Sequence, residues 1–407
     1  MTVTVLDSPR ARLLRAGITV AHRSRDGKGE WYVSAKDWPG LPNEATCELN
    51  ESGNLPRELQ RKLNLFLRKE PLTPLASMEC ERREYVLRGH DGDLVEIRDD
   101  IISIEREGET RSRVRELVMT PLVKLTGQQR EFIHTALQAV DANVLERPPS
   151  LAQRIGPPAT GLTSFKTPSG FHSAMNLEEY VSEIMLTHLH GLLLSELSDE
   201  PIGTEELLLS LEADLHGLSP VLEPQWREQL ESCIRALPGA PLDDREGILL
   251  QIIDELVAGV RAPKLGNLSS EPAREVLFKR AEHALIILLD RCRSLEKGSD
   301  EEAWAAALRS AEHFQDTAKV IEPLFPKQVR KLKAQTEELL QGLRASMLPP
   351  EDIELVGLTA ADAYQLGRDM EHARWSVARA RRDFVDSWPA RVPKMSKAMN
   401  KMRKKAS

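Results

Sequence analysis

The stretch EYVLRGHDGDLVEI, residues Glu84 to Ile97, decides how the first part of this chain folds. Two β-prone runs, 84–88 and 93–97, flank the sequence His90-Asp91-Gly92. Asp-Gly is a strong two-residue turn signal because it tolerates the positive φ that a tight turn requires. The stretch therefore predicts a β-hairpin.

Further β-like runs lie on both sides of this hairpin. Gly17–Arg23 and Glu30–Ser34 flank Asp26–Gly29, which predicts a second hairpin with a somewhat longer loop. Ile101–Ile104 and Arg113–Met119 supply two more strands. The first 120 residues are therefore expected to form an antiparallel sheet.

The spacing of apolar residues becomes helical between Gly127 and Leu145, and prolines and glycines then interrupt the chain as far as Gly170. Beyond this linker the pattern is helical almost to the end. The last helix carries the most regular apolar stripe, formed by Ala363, Leu366, Met370, Ala373, Val377, Ala380 and Phe384. We expect the final Lys394–Lys405 to fray into solvent. The fold class is therefore α+β, an antiparallel β domain followed by an all-α helical bundle.

The same pattern predicts the domain boundaries. Residues 1–155 form the β domain, and 156–176 are a linker rich in proline and glycine. Residues 177–390 form the helical bundle, and 391–407 are a basic tail.

Composition restricts the class of protein. With 407 residues, 41% hydrophobic and 29% charged, the chain is expected to fold as two or three domains rather than to be disordered. It contains no long uninterrupted apolar run and no signal-peptide pattern, so we expect a cytoplasmic protein without a membrane partner. Its four cysteines lack the CxxC spacing of a zinc ribbon, and we expect them to be reduced.

Charge is distributed unevenly along the chain. The formal net charge is -8, which argues against a protein that coats nucleic acid over its whole surface. Residues 176–259 hold 18 acidic and 3 basic side chains, whereas 374–407 hold 11 basic and 2 acidic ones. A polyanion should therefore prefer the C-terminal end.

Several short strings resemble the bacterial CYTH-CHAD proteins. VLDSP (Val5–Pro9), LRAGITV (Leu14–Val20) and Trp31–Val33 resemble the start of a CYTH domain, and Ile97–Asp100 with Arg115–Leu117 fall where that family has later strands. The strings that resemble CHAD landmarks are Ser198–Pro201, Pro220–Trp226, Glu301–Trp304, Ile321–Phe325, and Leu366–Asp369 through Phe384 and Trp388. Their order along the chain identifies it as a divergent member with a truncated CYTH N-terminus.

The resemblance implies a β-barrel, the triphosphate tunnel, in which Arg and Lys bind phosphate oxygens and carboxylates bind Mg²⁺. The ExExK strand of that family is missing, Ala21 and Ser34 replace basic residues, and Val118 and Thr120 replace acidic ones. The remaining candidates are Arg23, Arg82 and Arg83 for phosphate, and Glu116 and Asp99, with Asp100 beside it, for metal. The alternative for these residues is a solvated strand face with an acidic turn.

CHAD domains are described as binding inorganic polyphosphate through helices rich in histidine and arginine. The first such helix corresponds here to Ile202–Leu218, which has four carboxylates, no Lys or Arg, and a His216 out of register. At the second, Ala305 stands at the histidine position, and Glu312, His313 and Gln315 stand where basic residues are expected. Carboxylates at these positions repel a polyanion.

The basic C-terminal end remains as a candidate surface. Its expected phosphate-binding residues are Arg374, Arg379, Arg381, Arg382, Lys394 and Lys397. The alternative is a basic helix end that satisfies the helix dipole, followed by a solubilising tail. His188 and His190 are two apart, so on a helix they point away from each other and do not share a metal.

Two functional classes remain. The first is a module that binds inorganic polyphosphate or another polyanion with little or no catalytic activity, in effect a pseudoenzyme. The second is a scaffold or protein-interaction module that has lost phosphate binding. A third, a Mg²⁺-dependent inorganic triphosphatase, requires a true N-terminus that lies upstream. Sequence-specific recognition of nucleic acid is not expected.

Overall fold

The computed structural model describes residues 2–25, 28–48, 55–90, 92–198, 203–348 and 359–406. Parts of four predicted features lie outside these residues: the turn residues Asp26, Gly27 and Asp91, the segment Asp199–Pro201, and the break at Pro349-Pro350. The chain divides into two compact units. The first is Met1–Lys166 with His190–Ile202, and the second is Thr167–Leu189 with Gly203–Ser407.

An antiparallel sheet dominates the first unit. Its strands within the described residues are β1 (Thr2–Asp7), β2 (Thr19–Arg25), β3 (Lys28–Ser34), β4 (Ala45–Glu48), β5 (Thr73–Gly89), β6 (Gly92–Arg106) and β7 (Glu109–Pro121). Their order across the sheet is β4-β3-β2-β1-β5-β6-β7, which puts β4 and β7 at its two edges.

The hairpin predicted from Glu84–Ile97 is present as the end of β5 and the start of β6, closed at the Gly89–Gly92 pair. The prediction of separate strands at 93–97 and 101–104 is wrong, because β6 runs through both. The polar residues between them continue the strand because Asp99 pairs with Arg115 on β7 and Asp100 with Arg82 on β5.

Strand β1 lies in the middle of the sheet, between β2 and β5. At its end the fully buried carboxylate of Asp7 accepts hydrogen bonds from the backbone N–H groups of Ser8 (2.6 Å), Leu13 (2.9 Å) and Leu14 (2.8 Å). The bonds from Leu13 and Leu14 satisfy free donors in the short helix α1 (Arg12–Arg15). The VLDSP string therefore has a structural role as a cap.

Three further helices belong to the first unit: α2 (Arg57–Leu67), α3 (Gly127–Gln138) and α4 (Leu151–Ile155). Helix α2 packs through Phe66, whose ring centroid lies 4.8 Å from that of Trp38 and 5.1 Å from that of Phe165. Helix α3 ends at Gln138, earlier than the predicted Leu145. Helix α4 packs through Ile155 on a buried cluster that contains Val5 and Ile104.

The rest of the described chain is helical, which confirms the α+β class and its order. The helices are α5 (Leu177–Leu197), α6 (Thr204–Gly217), α7 (Pro224–Ala236), α8 (Leu242–Arg261), α9 (Ala273–Ser294), α10 (Glu301–Val320), α11 (Pro326–Ala345), α12 (Ala360–Ser387) and α13 (Val392–Ala406). Among the described residues, no helix is both long enough and apolar enough to cross a membrane.

Large buried side chains hold the second unit together. Tyr180, Trp304, Phe314 and Phe325 are almost completely buried. The hydroxyl of Tyr180 donates to the carbonyl of Val320 at 2.6 Å, so the buried hydroxyl has a hydrogen-bond partner. This core is built from α5, α10 and the start of α11.

The C-terminal helices differ from the expectation. On α12 the predicted stripe is buried at Val377 and Phe384 and half-buried at Leu366, Met370, Ala373 and Ala380. Residues 394–405 do not fray; they lie within α13, whose buried side chains are Met395, Ala398, Met399 and Met402. Methionines three and four residues apart form one apolar face, and burial of that face holds the helix in place.

Candidate functional site

Strand register assigns the candidate residues of the sheet to its two faces, because directly paired residues point the same way. Arg82 pairs with Asp100, and Asp100 pairs with Glu116. Arg23 pairs with Val3, which pairs with Met78, and two steps of two along β5 lead from Met78 to Arg82. Arg23, Arg82, Asp100 and Glu116 therefore share one face, here called the cavity face.

The other face carries the remaining candidates. Arg83 pairs in register with Asp99, so both lie opposite to the cavity face. Arg115 donates to Asp99 from Nε (2.8 Å) and Nη2 (2.7 Å). These bonds lower the pKa of the Asp99 carboxyl and raise that of Arg115. Asp99 is thus already engaged as an acceptor.

A cavity of about 810 Å³ lies against the cavity face. Its apolar lining comes from Val3, Val5, Ala21, Met78, Ile102 and Leu151. Its charged lining comes from Arg23, Arg82, Arg154, Glu84 and Asp100, and its remaining lining from Thr19, Tyr32, Ser34 and Cys80. The cavity therefore combines apolar side chains with polar and charged groups in about equal share.

Two of the three arginines are held by carboxylates. Arg82 donates to Asp100 from Nε (2.8 Å) and Nη2 (3.1 Å), and these bonds raise the pKa of Arg82. Arg154 reaches from α4 to Glu116, with Nη2 2.8 Å from Oε2. A bidentate pair engages two of the five N–H donors of a guanidinium and offsets its charge.

Arg23 is placed differently. Its guanidinium lies 3.4 Å from the ring centroid of Tyr32, which is a cation–π arrangement. The carboxylate that it faces, on Glu30, is 3.9 Å away, too far for a hydrogen bond. Arg23 therefore offers unused donors to the cavity.

Cys80 lies beside these groups. Burial, with a smaller contribution from Asp100, raises the pKa of its thiol. At neutral pH the thiol is protonated and weakly nucleophilic, so it is not placed for covalent catalysis.

The residues do not fit the Mg²⁺ centre that the resemblance implies. Asp99 and Glu116 lie on opposite faces, and each is paired with an arginine. In the described part of the chain, no three His, Cys, Asp or Glu side chains are grouped closely enough to hold a metal ion. The two candidate ligands are therefore not brought together.

The four candidate arginines of α12 have contacts within the second unit. Arg381 donates from Nε to the carbonyl of Ser346 (2.9 Å), pairs with Glu301 and lies 5.1 Å from the ring centroid of Trp304. Arg374 pairs with Glu371 (3.1 Å), Arg379 lies 3.9 Å from Asp383, and Arg382 donates to the carbonyl of Ala378. Arg381, only 12% exposed, is thus a packing residue rather than a surface cation.

The lysines of α13 form a different surface. Lys394, Lys397, Lys401, Lys404 and Lys405 are exposed. At 3.6 residues per turn they lie within an arc of about 100°, next to the buried methionine face. Within the described part of the chain, none of the five has an ion-pair partner. We call these five residues the lysine face.

Contacts at both ends hold α13 against its neighbours. Arg391, just before the helix, donates to Glu338 of α11 (3.1 Å), and Arg403 donates to Glu282 of α9 (3.2 Å). One turn from Glu282, the ring of Phe278 packs on Phe325, the N-cap of α11, at 6.3 Å. Helices α11 and α13 therefore run antiparallel, and the C-terminal end of the lysine face lies near the start of α11.

The start of α11 extends the positive charge. Lys327, Arg330 and Lys331 are exposed in its first two turns. Because of the antiparallel arrangement, these cations and Lys404 and Lys405 belong to the same end of the helix pair. The basic surface is thus broader than α13 alone.

Two side chains of the acidic helix α6, Asp214 and His216, make contacts within the protein. Asp214 accepts from His188 Nε2 (2.7 Å) and pairs with Lys319 (3.0 Å). His216 Nδ1 lies 2.7 Å from Asp316 of α10. The histidines of this region thus contact carboxylates, and His190 packs on Trp38 in the first unit at 5.6 Å.

The sequence did not single out Tyr32 or Arg154. Tyr32 appears in the sequence argument only as part of the WYV string. For Arg154 a signal exists, since Ser150 and Gln153 form a capping box that marks the start of a short helix. That this helix reaches the sheet depends on long-range packing, for which the sequence has no local signal.

No family model matches the chain, and no curated protein matches it.

Proposed function

We propose that this protein binds a linear polyanion, inorganic polyphosphate in the first place, through the lysine face of α13. We further propose that it is a divergent relative of the CYTH-CHAD proteins whose sheet unit has little or no catalytic activity. The lysine face is the single observation that carries the proposal.

The geometry of the lysine face suits an extended ligand. From Lys394 to Lys405 the helix rises about 16 Å, and the lysines follow one another at three or four residues as far as the adjacent Lys404 and Lys405. A cation about 4 Å from an anion gains roughly 1 kcal/mol in water, so one lysine binds weakly and several binding one chain act together. A polymer of phosphates offers such repeated contacts, whereas a single phosphate does not.

The chemistry of lysine favours charge recognition over base recognition. An ammonium is a compact point charge, while reading a base edge uses the planar fork of Arg or the amide of Asn and Gln. The exposed cations of α13 are lysines except Arg403, which is bonded to Glu282. We therefore propose binding that depends on salt and not on nucleotide sequence.

The carboxylates of the sheet argue against an active triphosphatase. A metal-dependent mechanism needs free carboxylate oxygens on one face. Asp100 and Glu116 are on one face, but arginines occupy both.

The test is a binding measurement with long-chain polyphosphate. In the first variant all five lysines of the lysine face become glutamine. The matched control removes five exposed positive charges elsewhere in the same unit, through Lys279→Gln, Arg291→Gln, Arg293→Gln, Lys297→Gln and Arg309→Gln. Deleting the tail is a poorer design because it removes the buried Met395, Met399 and Met402.

We expect the lysine variant to lose binding at low salt and the control to keep most of it. For the unaltered protein the logarithm of the affinity should fall with the logarithm of salt concentration, with a slope of about −3.5 for five contacts. Equal losses in both variants would contradict the site. If the unaltered protein does not bind at low salt, the scaffold alternative is correct.

A further inference from the structure

We propose that the cavity of the sheet unit is a binding site for a small organic carboxylate with an apolar body, and that Arg23 receives the carboxylate. This site lies in the first unit and is independent of the polyanion surface on α13. The geometry that points to it is the combination of one available guanidinium with apolar lining side chains.

The volume and lining are those of a small-molecule site. At about 810 Å³ the cavity is within the range of pockets that enclose drug-sized ligands. Val5 and Ala21 are buried and line the cavity, and Met78 and Ile102 pack against the buried cluster that contains Val5. A flat or extended hydrocarbon body would cover this surface and remove it from water.

Arg23 supplies one anchoring group. Its guanidinium rests on Tyr32, which fixes the plane of the fork without using its N–H donors. Arg82 and Arg154 already donate to Asp100 and Glu116. The planar fork of Arg23, which has no carboxylate of the described residues within hydrogen-bond distance, matches one planar carboxylate.

The charge of the lining favours one anionic group over several. Three arginines and two carboxylates line the cavity, and Glu116 and Glu30 just outside it pair with Arg154 and Arg23, so the site carries no excess of positive charge. A single carboxylate needs only the N–H donors of Arg23, which the 3.9 Å contact with Glu30 does not engage in a hydrogen bond. A triphosphate, with three or more negative charges, would face Glu84 and Asp100 without enough cations, and like charges at close range repel.

The experiment is calorimetric titration of the full chain with decanoate and 2-naphthoate. Their uncharged analogues, decanol and 2-naphthol, keep the body and lose the carboxylate. Inorganic tripolyphosphate is titrated separately. We expect at least one carboxylate to bind, and to bind more tightly than its alcohol. Tripolyphosphate should not compete with it for the cavity.

Substitutions locate the carboxylate. Arg23→Gln should weaken binding by about tenfold to a hundredfold, the range for a hydrogen bond to a charged group. Arg83→Gln is the matched control, because it removes the same charge from the opposite face of the sheet. The five-lysine variant of α13 should bind the carboxylate like the unaltered protein, so the two proposals fail separately.

Cys80 provides a second readout that does not require a substitution. A bound ligand should slow the alkylation of Cys80 by N-ethylmaleimide at alkaline pH. Cys233, also half-buried but in the second unit, should react at an unchanged rate.

Four results would overturn the proposal: no binding by either carboxylate, equal binding of acid and alcohol, tripolyphosphate that protects Cys80, or equal losses in Arg23→Gln and Arg83→Gln. If Arg23→Gln unfolds, Arg23→Lys keeps the charge but not the fork, and protection of Cys80 in the unaltered protein still decides whether the cavity is occupied.

Discussion

His216 Nδ1 on α6 lies 2.7 Å from Asp316 Oδ2 on α10, and this contact joins two helices of the second unit. The hydrogen bond to Asp316 raises the pKa of His216. The ring of His313, with its centroid 4.8 Å away, has its pKa lowered by burial and by the neighbouring His216. Of the two histidines, His216 takes a proton first as the pH falls.

This difference predicts how the stability of the second unit depends on pH. Folding raises the pKa of His216, so the contact of its protonated form with Asp316 stabilises the folded state. This stabilisation is fully present below pH 6.5, the ordinary pKa of histidine, and is lost as the pH rises through the pKa in the folded state. The unfolding free energy of the unaltered protein should therefore exceed that of His216→Gln most at low pH, and the difference should shrink above neutrality. Urea denaturation across this range measures it.

His313→Gln is the control for the sign of this effect. Since the pKa of His313 is lowered, its neutral form contributes above 6.5 and its contribution falls as the pH drops. The two variants should therefore change in opposite directions with pH. A difference for His216→Gln that grows with rising pH would contradict the assigned protonation.

Gly217, the next residue along α6, predicts a steric effect at the same crossing. A Cβ at this position would lie 2.6 Å from the carbonyl oxygen of Asp316 and 2.9 Å from Cγ2 of Val320. Since backbone cannot yield as a flexible side chain does, Gly217→Ala should destabilise the protein by about 1–3 kcal/mol. Thermal and urea unfolding measure this loss.

Gly247→Ala is the matched control for Gly217→Ala. Gly247 lies within α8, and a Cβ there meets no atom within 4 Å. Replacing glycine in a helix interior restores helix propensity, so this variant should gain about 0.5–1 kcal/mol. Equal losses in both variants would show that helix packing at Gly217 is looser than the distances imply.

Much of the sheet was predictable because its signals are local. Asp-Gly turns and β-prone runs identified the hairpin of β5 and β6. The continuity of β6 was not predictable, because Asp99 and Asp100 suit a strand only when Arg115 and Arg82 face them from neighbouring strands. Such pairs join residues 16 and 18 positions apart.

The candidate site was predictable only in part. The sequence marked Arg23 and Arg82 but not the face that they share, since a face follows from register across β2, β1 and β5. At the C-terminus it identified the basic residues but treated 394–405 as fraying. The spacing of Met395, Met399 and Met402 is that of a buried helix face. The many lysines between them led to the prediction of an exposed, frayed segment.

Replacing Asp7 should strongly destabilise the sheet unit. Its buried carboxylate accepts from three backbone N–H groups, although burial raises its pKa. Asp7→Ala leaves these buried donors without acceptors and should cost about 3 kcal/mol. Asp93→Ala removes an exposed pair with Arg88 and should change the unfolding free energy by less than about 1 kcal/mol. Similar values for the two variants would contradict the capping role of Asp7.

Replacing Arg381 should affect the stability of the C-terminal region and not its binding of polyphosphate. Arg381→Gln removes the donor to the buried carbonyl of Ser346, the pair with Glu301 and the contact with Trp304. We expect a loss of about 2 kcal/mol in unfolding free energy. Because Arg381 is not part of the lysine face, the salt dependence of polyphosphate binding should not change.

Lys397→Gln should show the opposite behaviour to Arg381→Gln. This lysine is exposed, so the unfolding free energy should stay within about 0.5 kcal/mol. Removing one phosphate contact should reduce the slope of log affinity against log salt by about 0.7. Arg382→Gln, one residue beyond Arg381 and exposed, should change neither quantity much. The contrary outcome is that Arg381→Gln reduces the slope of log affinity against log salt and leaves the unfolding free energy unchanged. That result would show that Arg381 belongs to the binding surface and would contradict its packing role.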